Sequence, residues 1–181
     1  MKNLKGTKTE RNLMDAFAGE SQARNRYTYF ADKAKKEGYG DIAAFFEETA
    51  RNEMEHAKVW FVLLSGGDIP ETATNLLAAA AGEHEEWTVM YKRMEAEARE
   101  EGLDSVAFFF EKVANIEKKH EERYLRLLKK LEGGDDEDAV TEKKVWICRE
   151  CGHIEVGENP PEKCPVCGHL KDHFELRIIN Y

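Results

Sequence analysis

Two copies of Glu-x-x-His stand in the chain, Glu53 to His56 and Glu117 to His120. On a helix, a separation of three places both side chains on one face. Each copy is preceded, 33 or 34 residues earlier, by another glutamate, Glu20 or Glu83. Those two sit among small apolar residues (Ala16, Ala18 and Gly19; Ala78 to Gly82), a setting that predicts burial. Several buried carboxylates repel one another unless they are protonated or cations neutralise them. Carboxylate oxygens with imidazole nitrogens suit iron or manganese. An isolated Glu-x-x-His on an acidic helix would read as a solvated face. The matched duplication is what carries the metal reading.

Glu86 is a seventh candidate, one turn after Glu83 and facing the same way. Its counterpart in the first half is Ala23, so the repeat is broken beside the site: Glu86 is either a solvated neighbour of Glu85 or, the favoured reading, an extra ligand that makes the two metals inequivalent. Tyr27 lies seven residues after Glu20, and Tyr91 eight after Glu83. Each phenol either packs in the core or hydrogen-bonds a ligand carboxylate. Phe45-Phe46 and Phe108-Phe109-Phe110 read as core. His84, His153, His169 and His173 have no partner at ligand spacing and read as solvated.

The four cysteines, Cys148, Cys151, Cys164 and Cys167, form two C-x-x-C pairs separated by twelve residues. Gly152 and Gly168 follow the second cysteine of each pair, where the chain must turn and offer amides to the sulfurs. In a reducing compartment this spacing is a tetrahedral four-thiolate metal site. Zinc and a single iron both accept the set.

These groups need elements to carry them. The chain has 181 residues, a formal charge of −9, 35% charged and 41% hydrophobic residues. That acidic balance argues against nucleic acid or an anionic membrane as the main partner. No apolar run approaches the roughly 20 residues of a spanning helix. Met1 to Glu10 has no apolar secretory core, and a cytoplasmic location is expected. Thr7 to Glu10 reads T-K-T-E, a capping box that starts a helix running to about Lys36, before Gly38. The second helix spans about Asp41 to Leu64. The third starts near Thr74 or Asn75 and ends before Gly102, and the fourth spans about Asp104 to Leu131. Short connections predict a mainly α four-helix bundle over 1–134. An acidic linker follows over 135–144, then a small metal-binding domain over 145–181 with an apolar finish from Leu176 to Ile179. That last segment is too short to fold without a metal.

Helices one and two also resemble helices three and four. Ala18-Gly19-Glu20 recurs as Ala81-Gly82-Glu83 at an offset of 63. Ile42 to Glu47 matches Val106 to Glu111 at 64, as do Ala50 with Ala114, Glu53 with Glu117 and His56 with His120. Two single glutamates plus two Glu-x-x-His motifs match the ligand pattern of ferritin-like dinuclear carboxylate proteins, with the two hairpins related by a pseudo-twofold axis.

With the cysteine pairs, the whole chain apart from the linker resembles the rubrerythrin family: a ferritin-like dinuclear-iron domain joined to a rubredoxin module with a short spacer. The resemblance implies a non-haem dinuclear-iron peroxidase, active in oxidative-stress protection, that reduces hydrogen peroxide to water. Electrons would come from NAD(P)H through separate redox proteins (a rubredoxin or a linked reductase) and the four-cysteine iron. It implies that Glu20, Glu53, Glu83, Glu86, Glu117, His56 and His120 hold the two irons and that Glu53 and Glu117 bridge them. It also implies that one iron exchanges Glu86 for His56 on reduction. Five carboxylates nearly neutralise two irons in either oxidation state, which is consistent with an accessible redox change. Tyr27 and Tyr91 would stand beside the reacting groups.

A ferritin-like bundle needs a long crossover between its second and third helices. Here about residues 65–74 must cover an axial gap of roughly 28 Å. Ten extended residues reach at most about 33–36 Å. This points to a domain-swapped homodimer, in which helices one and two of one chain complete a bundle with helices three and four of the other. Two rivals remain. A ferroxidase or iron-storage protein would not need the four-cysteine arm. A zinc-ribbon interaction protein would be colourless, whereas a ferric thiolate site is red.

Overall fold

The computed structural model describes residues 3–133 and 144–177. The expected linker, apart from Lys144, and the apolar pair Ile178-Ile179 lie outside the described residues. The chain divides into two compact units, Met1–Pro70 and Glu71–Tyr181.

The first unit is an antiparallel helical hairpin of α1 (Lys8–Lys36) and α2 (Gly40–Leu64). Thr7 caps α1, its hydroxyl accepting the Glu10 N–H at 3.0 Å. The Glu10 carboxylate reaches back to the Gly6 N–H at 2.6 Å, one residue further than a standard capping box. Gly38, at φ +83°, ends the helix, and the Tyr39 N–H bonds back to the Ala34 carbonyl at 2.9 Å. Only glycine takes that conformation without strain. The interface is lined by alanines: Ala23, Ala31 and Ala34 on α1, and Ala43, Ala50 and Ala57 on α2, all buried. The α2 set repeats every seven residues, which forms a single stripe along the helix.

The second unit repeats this plan with one irregularity. Its first rod consists of α3 (Thr72–Glu85), a π turn (Glu86–Met90) and α4 (Tyr91–Glu100). It packs on α5 (Asp104–Leu131), with Ala80, Ala98, Ala107 and Ile116 buried. Gly102, at φ +74°, repeats the role of Gly38. Tyr27 and Phe46 in one hairpin, and Tyr91 and Phe110 in the other, pack with ring centroids 6.1 Å apart. The expectation of one uninterrupted third α-helix is corrected by the π turn, which adds one residue to the rod.

The aromatic clusters do not all form core. Phe46 and Phe110 are half-buried, but Phe45, Phe108 and Phe109 are exposed. Successive helical residues point about 100° apart, so a run of two or three cannot face one partner helix.

The four-cysteine module, also in the second unit, is a three-stranded antiparallel sheet in the order β2-β1-β3. Its strands are β1 (Val145–Cys148), β2 (Ile154–Val156) and β3 (Phe174–Leu176). Cys148 pairs with Phe174 in register. The core of the module is Cys148, Cys164 and Phe174, with Trp146 and Val166 against it. Among the described residues, no helix is long and apolar enough to cross a membrane.

Candidate metal centre

In the first hairpin α1 carries Glu20, and α2 carries Glu53 and His56. One donor atom from each lies within 4.8 Å of the others. His56 Nδ1 stands 2.8 Å from Glu53 Oε2. In the second hairpin Glu83, Glu117 and His120 converge equally closely. His120 Nδ1 lies 2.8 Å from Glu117 Oε2 and 3.5 Å from Glu83 Oε1. The helical i, i+3 spacing aligns each Glu–His pair, and the antiparallel neighbour supplies the third donor.

Glu20 and Glu83 are half-buried rather than enclosed, and Ala18, Gly19, Ala81 and Gly82 around them are exposed. Two helices cover a ligand group from one side only.

Glu86 stands outside the three-donor cluster, on the π turn. Burial, and then the Glu117 charge, hold its carboxyl above the usual range. Tyr91 shares this environment. Burial first, then Glu117, Glu86 and Glu83, push its phenol up. Tyr27 packs between Phe30 and Phe46.

Burial and the nearby Glu117 carboxylate push Glu83 up to about 7. The donor chemistry therefore calls for cations: four acidic or imidazole groups crowd one face, and one carboxyl retains a proton near neutrality for want of a counter-charge. The sign follows directly. A folded-state value above the ordinary one means that the metal-free protein loses stability as pH rises through about 7. A metal must displace this proton and that of His120, which its hydrogen bond to Glu117 holds above the ordinary value, so uptake should strengthen as pH rises through about 7. Loading ferrous ion at about pH 6 should release more protons than loading at about pH 8.5, read with a pH indicator in weak buffer.

In the small module the sulfurs of Cys148 and Cys167, and of Cys151 and Cys164, are 3.6 Å apart. All four cysteines are free thiols. Gly152 (φ +75°) and Gly168 (φ +76°) turn the two knuckles. The amides of His153 and His169, which follow these glycines, donate to Cys151 and Cys167. Burial pushes Cys164 up, but the Cys167 and Val166 amides outweigh it and bring the thiol below its usual value. This compact sulfur cage with donated amides fits a thiolate-bound metal.

Gly152 also meets α5. A Cβ added there would lie 2.8 Å from His120 Nε2 and 3.1 Å from Ile116 Cγ2. The backbone beside Cys151 thus lies against the imidazole whose Nδ1 faces Glu117. Sequence reasoning missed this contact, because Gly152 already had a local role in the knuckle.

Of the four remaining histidines, His84 and His169 are exposed as expected and His153 and His173 are half-buried, but each has a polar or ring partner. His84 Nδ1 lies 2.9 Å from Glu121, which also accepts the Trp87 indole N–H at 2.5 Å. His153 packs edge-on against Phe174 and reaches Glu155 at 3.3 Å. His169 lies 3.2 Å from the Cys167 sulfur, and His173 2.8 Å from Glu150. Most of these partners are distant in sequence, so local spacing could not reveal them. The π turn did leave a trace. The repeat offset changes from 63 before Glu86 to 64 from Tyr91 onward, which marks one inserted residue between them.

Comparison with known proteins gives the chain's relatives. Residues 11–128 match the family model described as Rubrerythrin, and residues 146–175 match the one described as Rubrerythrin, rubredoxin-like domain. A rubrerythrin of Porphyromonas gingivalis is 48% identical, covering 99% of this chain and 95% of its own. A rubrerythrin of Nitratidesulfovibrio vulgaris is 46% identical over the whole of both chains. The structure of fully reduced, all-ferrous nigerythrin is 32% identical, with a TM-score of 0.43, covering 97% of this chain and 89% of that one.

Proposed function

This chain belongs to the rubrerythrin family, with a ferritin-like domain and a rubredoxin-like domain, and on that premise we propose that it is a peroxidase of the cytoplasm. Its four cysteines form a site for one iron, and its ferritin-like domain carries the carboxylate and imidazole groups suited to a dinuclear iron site. The reaction is H2O2 + 2e⁻ + 2H⁺ → 2H2O. The dinuclear ligands are Glu20, Glu53, Glu83, Glu86, Glu117, His56 and His120. Electrons enter through Cys148, Cys151, Cys164 and Cys167 from NAD(P)H, by way of a rubredoxin or a linked reductase.

The observation that carries this reading is the contact of Gly152 with His120. It links the four-thiolate cage to a dinuclear ligand through adjoining groups. Iron held by these ligands would supply the electrons for O–O cleavage. The protein's own residues hold and move the protons. Glu86, which stands outside the three-donor cluster and whose carboxyl burial and the Glu117 charge hold above its ordinary value, is the group placed to hand a proton to a leaving oxygen. The Tyr91 phenol stays protonated and able to donate a hydrogen bond. Glu86 opens the π turn, its own N–H still bonded to the Gly82 carbonyl, and would be the ligand that exchanges with His56. Peroxide turnover with a reducing system tests this directly. Glu86→Ala should lower the rate by about 10²-fold, and an unchanged rate would remove Glu86 from the mechanism. A ferroxidase role is disfavoured by the thiolate arm, which iron oxidation does not use.

The working unit is a homodimer with exchanged helices. The connector between α2 and α3 is only residues 65–71. Leu64 and Thr72 each lie 11 residues from their site glutamates, Glu53 and Glu83. Bringing those glutamates level within one chain would require an axial span of roughly 33 Å. Eight extended steps reach roughly 26–29 Å, before any lateral offset. Each site would then take Glu20, Glu53 and His56 from one chain and Glu83, Glu86, Glu117 and His120 from its partner. Co-refolding a Glu20→Ala/Glu53→Ala chain with a Glu83→Ala/Glu117→Ala chain tests this. Exchange rebuilds one intact site in each mixed dimer and restores turnover, whereas unexchanged chains stay inactive.

A further inference from the structure

We propose that Glu150, His169 and His173 form a further metal site, on the outer surface of the rubredoxin-like module, that takes Zn²⁺ or a similar first-row divalent cation. One donor atom from each lies within 4.8 Å of the other two. Two imidazoles and a carboxylate are a three-donor set for such ions, with the open positions left to water.

The groups come from three separate stretches, and the backbone fixes each of them. Glu150 sits inside the first cysteine knuckle. The carbonyl of His169 accepts the Cys164 N–H at 2.8 Å, which ties it to the second knuckle. The carbonyl of His173 accepts the Arg149 N–H at 2.9 Å, next to Glu150. The Arg149 guanidinium is turned to the Asp172 carbonyl at 2.9 Å. The backbone positions therefore belong to the framework that builds the four-thiolate cage, and the side chains of Glu150 and His169 converge from its exposed surface.

A plain ion pair accounts for only two of the three groups. His173 Nδ1 meets Glu150 Oε1 at 2.8 Å, but the His169 ring also faces His173, centroid to centroid at 4.7 Å. His169 Nδ1 lies 3.2 Å from the Cys167 sulfur, which leaves Nε2 as the nitrogen for a metal. A cation held there would act on the Cys167 thiolate through the imidazole ring, drawing electron density from the sulfur.

The test uses the full-length, iron-loaded ferric protein dialysed against Zn²⁺, with zinc and iron counted by elemental analysis. The wild-type chain should gain one zinc without losing iron, and its red ferric-thiolate band should shift. His173→Ala and Glu150→Gln should each weaken zinc uptake by at least about tenfold, and a His169→Ala/His173→Ala chain should abolish the extra zinc. Equal uptake by wild type and the double variant overturns the proposal, and so does zinc gained only in exchange for lost iron. His173→Gln, which preserves size, decides the matter if the alanine variants fail to keep their red iron site. Peroxide turnover is not part of the readout, so the outcome is independent of the peroxidase proposal.

Discussion

Glu117→Ala should abolish measurable peroxide turnover, with a loss of at least about two orders of magnitude, and should leave the dinuclear site unable to keep its full iron complement. Glu117 is the group to which the second half-site is referred. It lies 2.8 Å from His120 Nδ1, and its charge is among the causes that push Glu83, Glu86 and Tyr91 above their usual values. Its removal therefore has two effects of opposite sign. Iron loses a ligand, so activity and bound iron fall together. The metal-free protein loses a source of repulsion, so Glu83 ionises more easily and the apo-protein should melt a few degrees higher above about pH 7. Iron analysis, steady-state turnover and apo-protein melting separate this from simple unfolding. A variant that melts lower without metal and retains turnover would contradict both halves of the argument.

Gly152→Ala should slow electron delivery to the dinuclear site by on the order of ten- to a hundredfold. The added methyl group would sit 2.8 Å from His120 Nε2, far inside contact distance, so the His120 ring or the module must shift and the approach between them is altered. The substitution also costs about 1–2 kcal/mol, because φ there is +75°. Gly168→Ala is the natural control. Its φ is +76°, so it carries the same backbone penalty, but its Cβ would meet only the flexible end of Lys163, at 3.3 Å. Stopped-flow reduction should thus show a slow internal step in Gly152→Ala alone, while both variants keep the red spectrum of the four-cysteine iron. Equal slowing in both would assign the effect to the knuckle rather than to the approach to His120.

Much of this arrangement is legible in the sequence because its signals are local. Glu53 with His56, and Glu117 with His120, are one turn apart, and Gly38 and Gly102 mark helix ends that the structure places where glycine needs its positive φ. The cysteine spacing likewise implies its own cage. What was not legible depends on contacts between distant segments. The pairing of Glu121 with both His84 and Trp87 joins two helices 34 to 37 residues apart. The pairing of His173 with Glu150 closes 23 residues of the small module. Phe45 and Phe109 looked like core because apolar identity is visible in a sequence, while the direction in which a helix turns each ring depends on the neighbour it packs against.

The extra residue of the π turn has a consequence for origins. Without it the two hairpins would be interchangeable, each offering one glutamate from its first helix and a Glu–His pair from its second. A shorter ancestor with a single hairpin could then have assembled the same six donors simply by pairing with its twin. One inserted peptide unit, together with the exchange of an alanine for Glu86, is enough to turn such a twofold arrangement into one with two unlike sides.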